Sequence, residues 1–191
     1  MSLESAIFLI GFSGSGKTSI GRELARRFTV RFYDTDAIIE KEQKRSVGEI
    51  FEQDGEGFFR RIESEVIRNV VAAKPAGKVV SLGGGAFKSK ANRNLVNSTG
   101  VSVYLSCSVR EIYRRVSRKT DRPLLRVKPR ANQTMRQAQL ARIRELLRER
   151  IQNYSLAILR YATTGKDIET AASDLYTKIE EYHARHRSQV R

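Results

Sequence analysis

Apolar positions along the chain fall into two alternating patterns. Short continuous runs, AIFLI at 6–10, VRFYD at 30–34, KVVSL at 78–82 and VSVYL at 101–105, are bounded by glycines or polar turns and read as buried strands. A further strand is expected near 158–162. Between the runs, apolar residues recur at helical spacing: Ile20, Leu24 and Phe28 after a glycine-rich turn, then Phe59, Ile62, Val66 and Val70 over 57–73. A last helix carries Leu175, Ile179 and Tyr182. Helices are also expected from Asp36, after SVGE at 46–49, after SVRE at 108–111 with Ile112 and Val116, and over about 132–154. Both four-residue segments have the capping-box pattern that opens a helix. Strands alternating with helices predict a parallel sheet covered on both faces, in one α/β domain without internal repeats.

Composition narrows the class. A chain of 191 residues with 40% hydrophobic and 30% charged residues suits one packed domain over 1–191 and is far from a disordered composition. The single cysteine, Cys107, excludes a disulfide framework and a Cys-based zinc cluster. Both histidines, His183 and His186, lie close to the end of the chain, which argues against a His-based catalytic centre. The longest apolar run, AIFLIGF at 6–12, is too short to span a bilayer and has no charged segment before it. A soluble cytoplasmic protein is expected, with no membrane partner.

The net charge of +15 is unevenly spread. Residues 110–150 hold 14 Lys and Arg against 4 Asp and Glu, and the tail 183–191 adds Arg185, Arg187 and Arg191. Such a patch fits a nucleic acid or a bound polyphosphate equally well. The segment 119–131 has two of the three prolines and five basic residues, and is expected to be a mobile lid. The tail 183–191 is expected to be disordered.

The chemistry concentrates at a few motifs. GFSGSGKT at 11–18 satisfies G-x-x-x-x-G-K-[ST] and sits between a strand and an amphipathic helix. Its glycines let amide groups curl around phosphate oxygens, Lys17 reaches the β/γ-phosphates and the Thr18 hydroxyl suits Mg²⁺. Asp34 and Asp36 follow the second strand, at the sheet edge where such folds bind ligands. One can hold metal-bound water while the other meets an acceptor hydroxyl; alternatively Asp36 caps the next helix and Asp34 is solvated. Gly83, Gly84 and Gly85 end the third strand, either approaching a ligand or forming a plain loop. No acidic residue ends that strand, Ser81 being the nearest candidate, which turns attention to Asp34 as the metal's partner. Arg60 and Glu63 lie one helical turn apart; Arg60 can grip a carboxylate while Glu63 holds it or takes a hydroxyl proton, although spacing alone favours a surface pair. Arg122, in TDRPLL, sits where a lid would close over a transferring phosphate, with Arg126, Lys128 and Arg130 solvated beside it. Nothing local singles out Arg150.

Together GFSGSGKT, FYDTD at 32–36, FFRRIE at 58–63, SLGGG at 81–85 and DRPLL at 121–125 resemble shikimate kinase in order and spacing, from Ile7 to about Tyr182. The resemblance implies a P-loop fold of the nucleoside-monophosphate-kinase type, with five parallel strands in order 2-3-1-4-5 and a lid. It implies ATP-dependent phosphorylation of the 3-hydroxyl of shikimate, with Mg²⁺, by a monomer. On this basis Gly14, Ser15, Gly16, Lys17, Thr18 and Ser19 would hold the ATP phosphates, and Arg122 would be the lid arginine on ATP. Thr18 would bind Mg²⁺ directly and Asp34 through water. Asp36, Arg60, Gly84 and Arg150 would bind shikimate, Glu63 would support Asp36 or Arg60, and Gly83 and Gly85 would shape the turn. Lys17, Asp36 and Arg122 would carry catalysis. The family's usual Arg-x-Pro-x-Tyr is RIQNY at 150–154 here, with Gln152 in place of proline.

Two other functions compete. Another small-molecule kinase on this fold would act on a nucleoside monophosphate or a sugar acid, which the DTD, FRRIE and GGG combination disfavours. A nucleic-acid-binding module is favoured only by charge, since no groove-reading or aromatic-rich motif accompanies it; no nucleic-acid partner is expected.

Overall fold

The computed structural model describes residues 3–117 and 127–187. Five parallel strands, β1 (Ala6–Ile10), β2 (Arg31–Asp34), β3 (Lys78–Ser81), β4 (Gly100–Ser106) and β5 (Leu159–Ala162), form one sheet in the order β2-β3-β1-β4-β5. The expected strand order is the one observed. Central β1 pairs with β3 and β4, with Ile7 opposite Val79 on one side and Val101 on the other. All five of its residues are buried, as a strand covered on both faces requires.

The period of two along β1 sends its side chains to two cores. Ile7 and Leu9 pack with Leu24 and Phe28 of α1 (Lys17–Phe28) and with Leu175 and Ile179 of α8 (Ile168–Arg187). Phe8 and Ile10 pack on the other face with Phe59, Val66, Ile67 and Val70 of α4 (Gly55–Ala72). A third cluster joins Phe12 to Ile112 and Val116 of α6 (Val109–Val116) and to Ile143 and Leu146 of α7 (Met135–Tyr154). That cluster seats the two helices beside the glycine-rich turn.

Helix boundaries follow their caps. Asp34 caps α2 (Thr35–Gln43) by accepting the Ala37 amide, and Ser46 with Glu49 completes a capping box at α3 (Val47–Gln53). SVRE forms only half of its box. Ser108 accepts the Glu111 amide, but the Glu111 carboxylate pairs with Arg114 and Arg115 instead. Those arginines hold the Glu111 carboxyl down at about 2. Helix α7 begins at Met135 rather than near 132, because Asn132 has φ 64° and Thr134 with Gln137 forms the capping box.

One helix has no counterpart in the periodicity. A single 3-10 turn, Ala86–Lys88, leads to α5 (Lys90–Thr99), whose sequence KANRNLVNST buries only Val96 among its apolar residues. Its start is set by the Ser89 side chain accepting the Asn92 amide. The expected disordered tail is also corrected in part. Helix α8 continues through His183 and His186 to Arg187, with Tyr176 packed on Phe28 and the His186 ring stacked on Tyr182 at 4.0 Å. Residues 188–191 lie outside the described residues, as do 118–126, which contain Arg122 and most of the expected lid. No helix among the described residues is long and apolar enough to cross a membrane.

Candidate active site

The carboxyl ends of β1, β2 and β3 converge on a cleft of about 420 Å³. The turn after β1 carries Gly14 and Gly16 at φ 85° and 101°, a left-handed backbone that favours glycine, and Gly16 caps α1. Lys17 folds back over the turn and donates to the carbonyls of Gly11 (2.9 Å) and Phe12 (3.2 Å). Ser13, Gly14, Gly16, Lys17, Thr18 and Ser19 line the cleft. Ser15 does not: it is fully buried, its amide donates to the Phe12 carbonyl, and its hydroxyl lies beneath the loop near Gly11 without a partner.

The two aspartates divide their work. Thr18 donates to Asp34 Oδ2 at 2.7 Å, while Asp34 Oδ1 accepts from the Ala37 amide. Asp34 is therefore the helix cap, and Asp36 is left free to face the cleft. Burial pushes the Asp36 carboxyl up to about 6; Lys17 opposes the shift, and Asp34 and Glu40 add to it. Between them Thr35 is fully buried. Its hydroxyl donates to the Ser81 carbonyl (3.3 Å) and accepts from the Gly83 amide (3.0 Å), tying the β2 end to the β3 end.

The three glycines make room for charged groups. A Cβ at Gly83 would lie 2.5 Å from Glu63 Oε1 and 2.6 Å from Asp36 Oδ1, so both carboxyls converge on that empty space. A Cβ at Gly85 would strike the Arg60 guanidinium, and one at Gly84 would stand 3.4 Å from Arg150 Nη1. Arg60 donates to Glu63 Oε2 at 2.7 Å and to Glu56 Oε1 at 3.1 Å. Glu63 is 1% exposed and its other oxygen has no partner. Its burial pushes the carboxyl up to about 7 against the pull of Arg60. The ion pair that spacing alone assigned to the surface is thus half inside the protein.

Arg150, which nothing local marked, is 6% exposed at the same edge. It donates to the Gly84 carbonyl at 3.3 Å, lies over the Phe12 ring at 5.4 Å, and keeps a buried Nε without a partner. Tyr154, one turn on, donates to the same Gly84 carbonyl at 2.5 Å. Helix α7 runs unbroken through Gln152, so the absent proline does not carry Arg150 away from the glycine turn.

A sequence model of the family described as shikimate kinase matches residues 13–180. Shikimate kinase from Ruegeria pomeroyi is 41% identical over 178 residues, covering 93% of this chain and 84% of its own. That from Geobacter metallireducens is 40% identical over 174 residues, 91% of each chain. The structure of shikimate kinase from Acinetobacter baumannii in complex with shikimate superposes with a TM-score of 0.81 at 32% identity, covering 95% of this chain and 94% of that one.

This chain belongs to the shikimate kinase family. Of the residues that its motifs single out, the structure gathers Lys17, Thr18, Asp34, Asp36, Arg60, Glu63, Gly83, Gly84, Gly85 and Arg150 at one sheet edge. Arg122 lies outside the described residues. Ser13, Thr35 and Tyr154 lie within the quoted motifs without a role assigned from sequence, and nothing in the sequence assigns one to the far wall of the cleft, formed by Arg114, Arg115, Lys166, Asp167 and Ile168. Arg115 donates to the Gly14 carbonyl (3.4 Å) and the Thr163 carbonyl (3.1 Å), bridging the phosphate loop to the segment after β5. The capping pattern at 108–111 was the one available signal, since it fixes the helix phase that turns Arg115 inward.

Proposed function

We propose that this protein transfers the γ-phosphoryl group of ATP to the 3-hydroxyl of shikimate, giving shikimate 3-phosphate and ADP, in the biosynthesis of chorismate and the aromatic amino acids. The observation that carries the acceptor's identity is the buried Arg150 guanidinium with its unmet Nε, next to Arg60 across the glycine turn. A buried donor without a partner is costly, and a planar carboxylate matches the guanidinium fork. A neutral polyol leaves the buried Arg150 Nε unanswered.

In this reading the amides of 14–19 and the Lys17 ammonium hold the ATP phosphates, and the helix N-terminus adds a favourable field. Ser15 contributes at most its backbone, given its buried hydroxyl. Mg²⁺ suits the hard oxygen donors of Thr18 and Asp34, 2.7 Å apart, with Asp34 acting through water. When bound, the ion neutralises charge on the transferring phosphate. Asp36 orients the acceptor hydroxyl and takes its proton. Its raised carboxyl lies nearer neutrality than an ordinary aspartate, which strengthens it as a base while leaving it ionised at pH 7. Arg60 and Arg150 grip the shikimate carboxylate, Glu63 fixes Arg60, and Gly83, Gly84 and Gly85 let the acceptor lie against the backbone. Arg122 is assigned to the nucleotide phosphates by its place in DRPLL.

Two residues of the basic stretch, Arg115 and Arg150, turn inward onto the cleft's backbone, consistent with a small-molecule site rather than a duplex. A cytoplasmic monomer is the reading that goes with this assignment. ADP release, coupled to a reporter, tests the reading across shikimate, gluconate, neutral polyols and nucleoside monophosphates. Shikimate should be preferred by orders of magnitude in kcat/KM; comparable turnover of a nucleoside monophosphate would overturn it.

A further inference from the structure

Arg150 is held in place by little of its own. Its hydrogen bond to the Gly84 carbonyl is long, at 3.3 Å, and its Nε is unpaired. Its position depends on how the last turn of α7 is fastened to the glycine turn. Tyr154 supplies one fastening through Gly84. Another comes from α5, outside the cleft. Arg93 Nη1 donates to the carbonyls of Phe87 and Lys88, both at 2.8 Å, and to Asn153 Oδ1 at 2.9 Å.

The three acceptors belong to two separate pieces of chain. Phe87 and Lys88 lie in the 3-10 turn that follows Gly83–Gly85 directly, and Asn153 lies three residues after Arg150 on the same helix. The turn is itself braced, since Asn92 Nδ2 donates to the Ala86 carbonyl at 3.1 Å and Asn92 is buried. Helix α5 thus presents two successive side chains to the carbonyls of the turn, and one of them reaches on to α7. We infer that Arg93 and Asn153 form a latch that sets the distance between Arg150 and the glycine turn, making both of them positioning residues for the acceptor's carboxylate. The inference rests on the proposed acceptor, because Arg150 matters only if it meets a carboxylate.

The latch acts on one substrate only. Neither residue is among those lining the phosphate cleft, and the Asn153 carboxamide meets Arg93 rather than a residue of that cleft. Loosening it lets the Arg150 end of α7 drift while Lys17, Thr18 and Asp34 stay put.

Asn153→Ala removes the link and leaves the Arg93 bonds to the turn intact, whereas Asn153→Asp keeps an acceptor oxygen. Losing one hydrogen bond at this position should raise the shikimate KM, and its dissociation constant by calorimetry, about three- to ten-fold. The ATP KM should stay within about twofold, Asn153→Asp should behave as wild type, and Arg93→Met should match Asn153→Ala. In an Arg150→Ala background, Asn153→Ala should add nothing further, because partners in one network are not additive. The latch is refuted if Asn153→Ala leaves shikimate binding unchanged, weakens both substrates alike, or adds its full factor to Arg150→Ala. Should Arg93→Met fold poorly, the two Asn153 variants still decide the matter. A wild type that ignores shikimate would sink the proposed function and the latch with it; normal turnover with an unaffected Asn153→Ala sinks the latch alone.

Discussion

Replacing Thr35 by valine keeps the shape of a fully buried side chain and deletes one hydroxyl. That hydroxyl is the acceptor for the Gly83 amide at 3.0 Å and a donor to the Ser81 carbonyl at 3.3 Å. A buried group left unsatisfied costs about 1–3 kcal/mol, and the shorter bond, to the amide, should dominate. With a smaller loss at the carbonyl, the total is about 2–4 kcal/mol. For a domain of this size each kcal/mol lowers Tm by roughly 2–4 °C, so a drop of roughly 4–16 °C is expected. Thr35→Ser retains both bonds and should lose about 1 kcal/mol at most, for one buried methyl. Thr35 also stands between Asp34 and Asp36, so the valine variant should turn over more slowly at temperatures where it is fully folded. Urea titration and shikimate kinetics on the two variants test this. A valine variant as stable and as active as wild type would refute the claim that the hydroxyl ties the two strand ends together.

Lys17→Ala should abolish turnover, because its ammonium is the cation set over the phosphate loop; near-normal kcat would contradict the phosphate-loop assignment. Asp36→Asn should lower kcat by about 10²–10⁴, the range for a lost general base. Asp34→Asn should instead raise the Mg²⁺ concentration needed for half-maximal rate, and identical Mg²⁺ profiles for the two variants would count against the division of roles. Glu63, raised to about 7 by burial, binds its proton more tightly folded than unfolded. Its contribution to stability is therefore lost as pH climbs from about 4.5 to about 7, the reverse of an ordinary ion-paired carboxylate. Urea unfolding across that window should show a flatter pH dependence for Glu63→Gln than for wild type; parallel curves would mean that Glu63 is already charged throughout.

What was legible from the chain follows from how local each cause is. The phosphate loop is readable because Gly14, Gly16 and Lys17 act within one turn, and the strand order accompanies the family resemblance. Asp34 and Asp36 were recognisable as a pair, but their roles depend on which carboxyl reaches the Ala37 amide, a matter of helix phase. Ser15 and Ser13 look equivalent in sequence, yet the curl of the loop buries one and leaves the other half-buried at the cleft. The role of Thr35 is silent in the sequence because its partners are 46 and 48 residues away. Arg150 is one arginine among many on α7, and only packing against Phe12 and Gly84 distinguishes it. Helix α5 is nearly silent, with one buried apolar residue and a serine cap in place of an apolar stripe. The tail looked disordered from its charge, but the stacking of His186 on Tyr182 and the Glu181–Arg185 pair extend α8 beyond the core.

Arg60 and Arg150 are assigned to the acceptor's carboxylate, and comparing shikimate with its methyl ester probes that assignment directly. Esterification removes the charge and leaves the hydroxyls untouched. Each charge-assisted hydrogen bond contributes roughly 1.5–3 kcal/mol, so losing two should cut kcat/KM by at least about a hundred-fold. The gap should narrow by about tenfold or more in Arg150→Ala, which no longer has the second guanidinium to lose, while the KM for ATP stays the same. Equal use of acid and ester by the wild type, or an undiminished gap in Arg150→Ala, would mean that these arginines do not read the carboxylate.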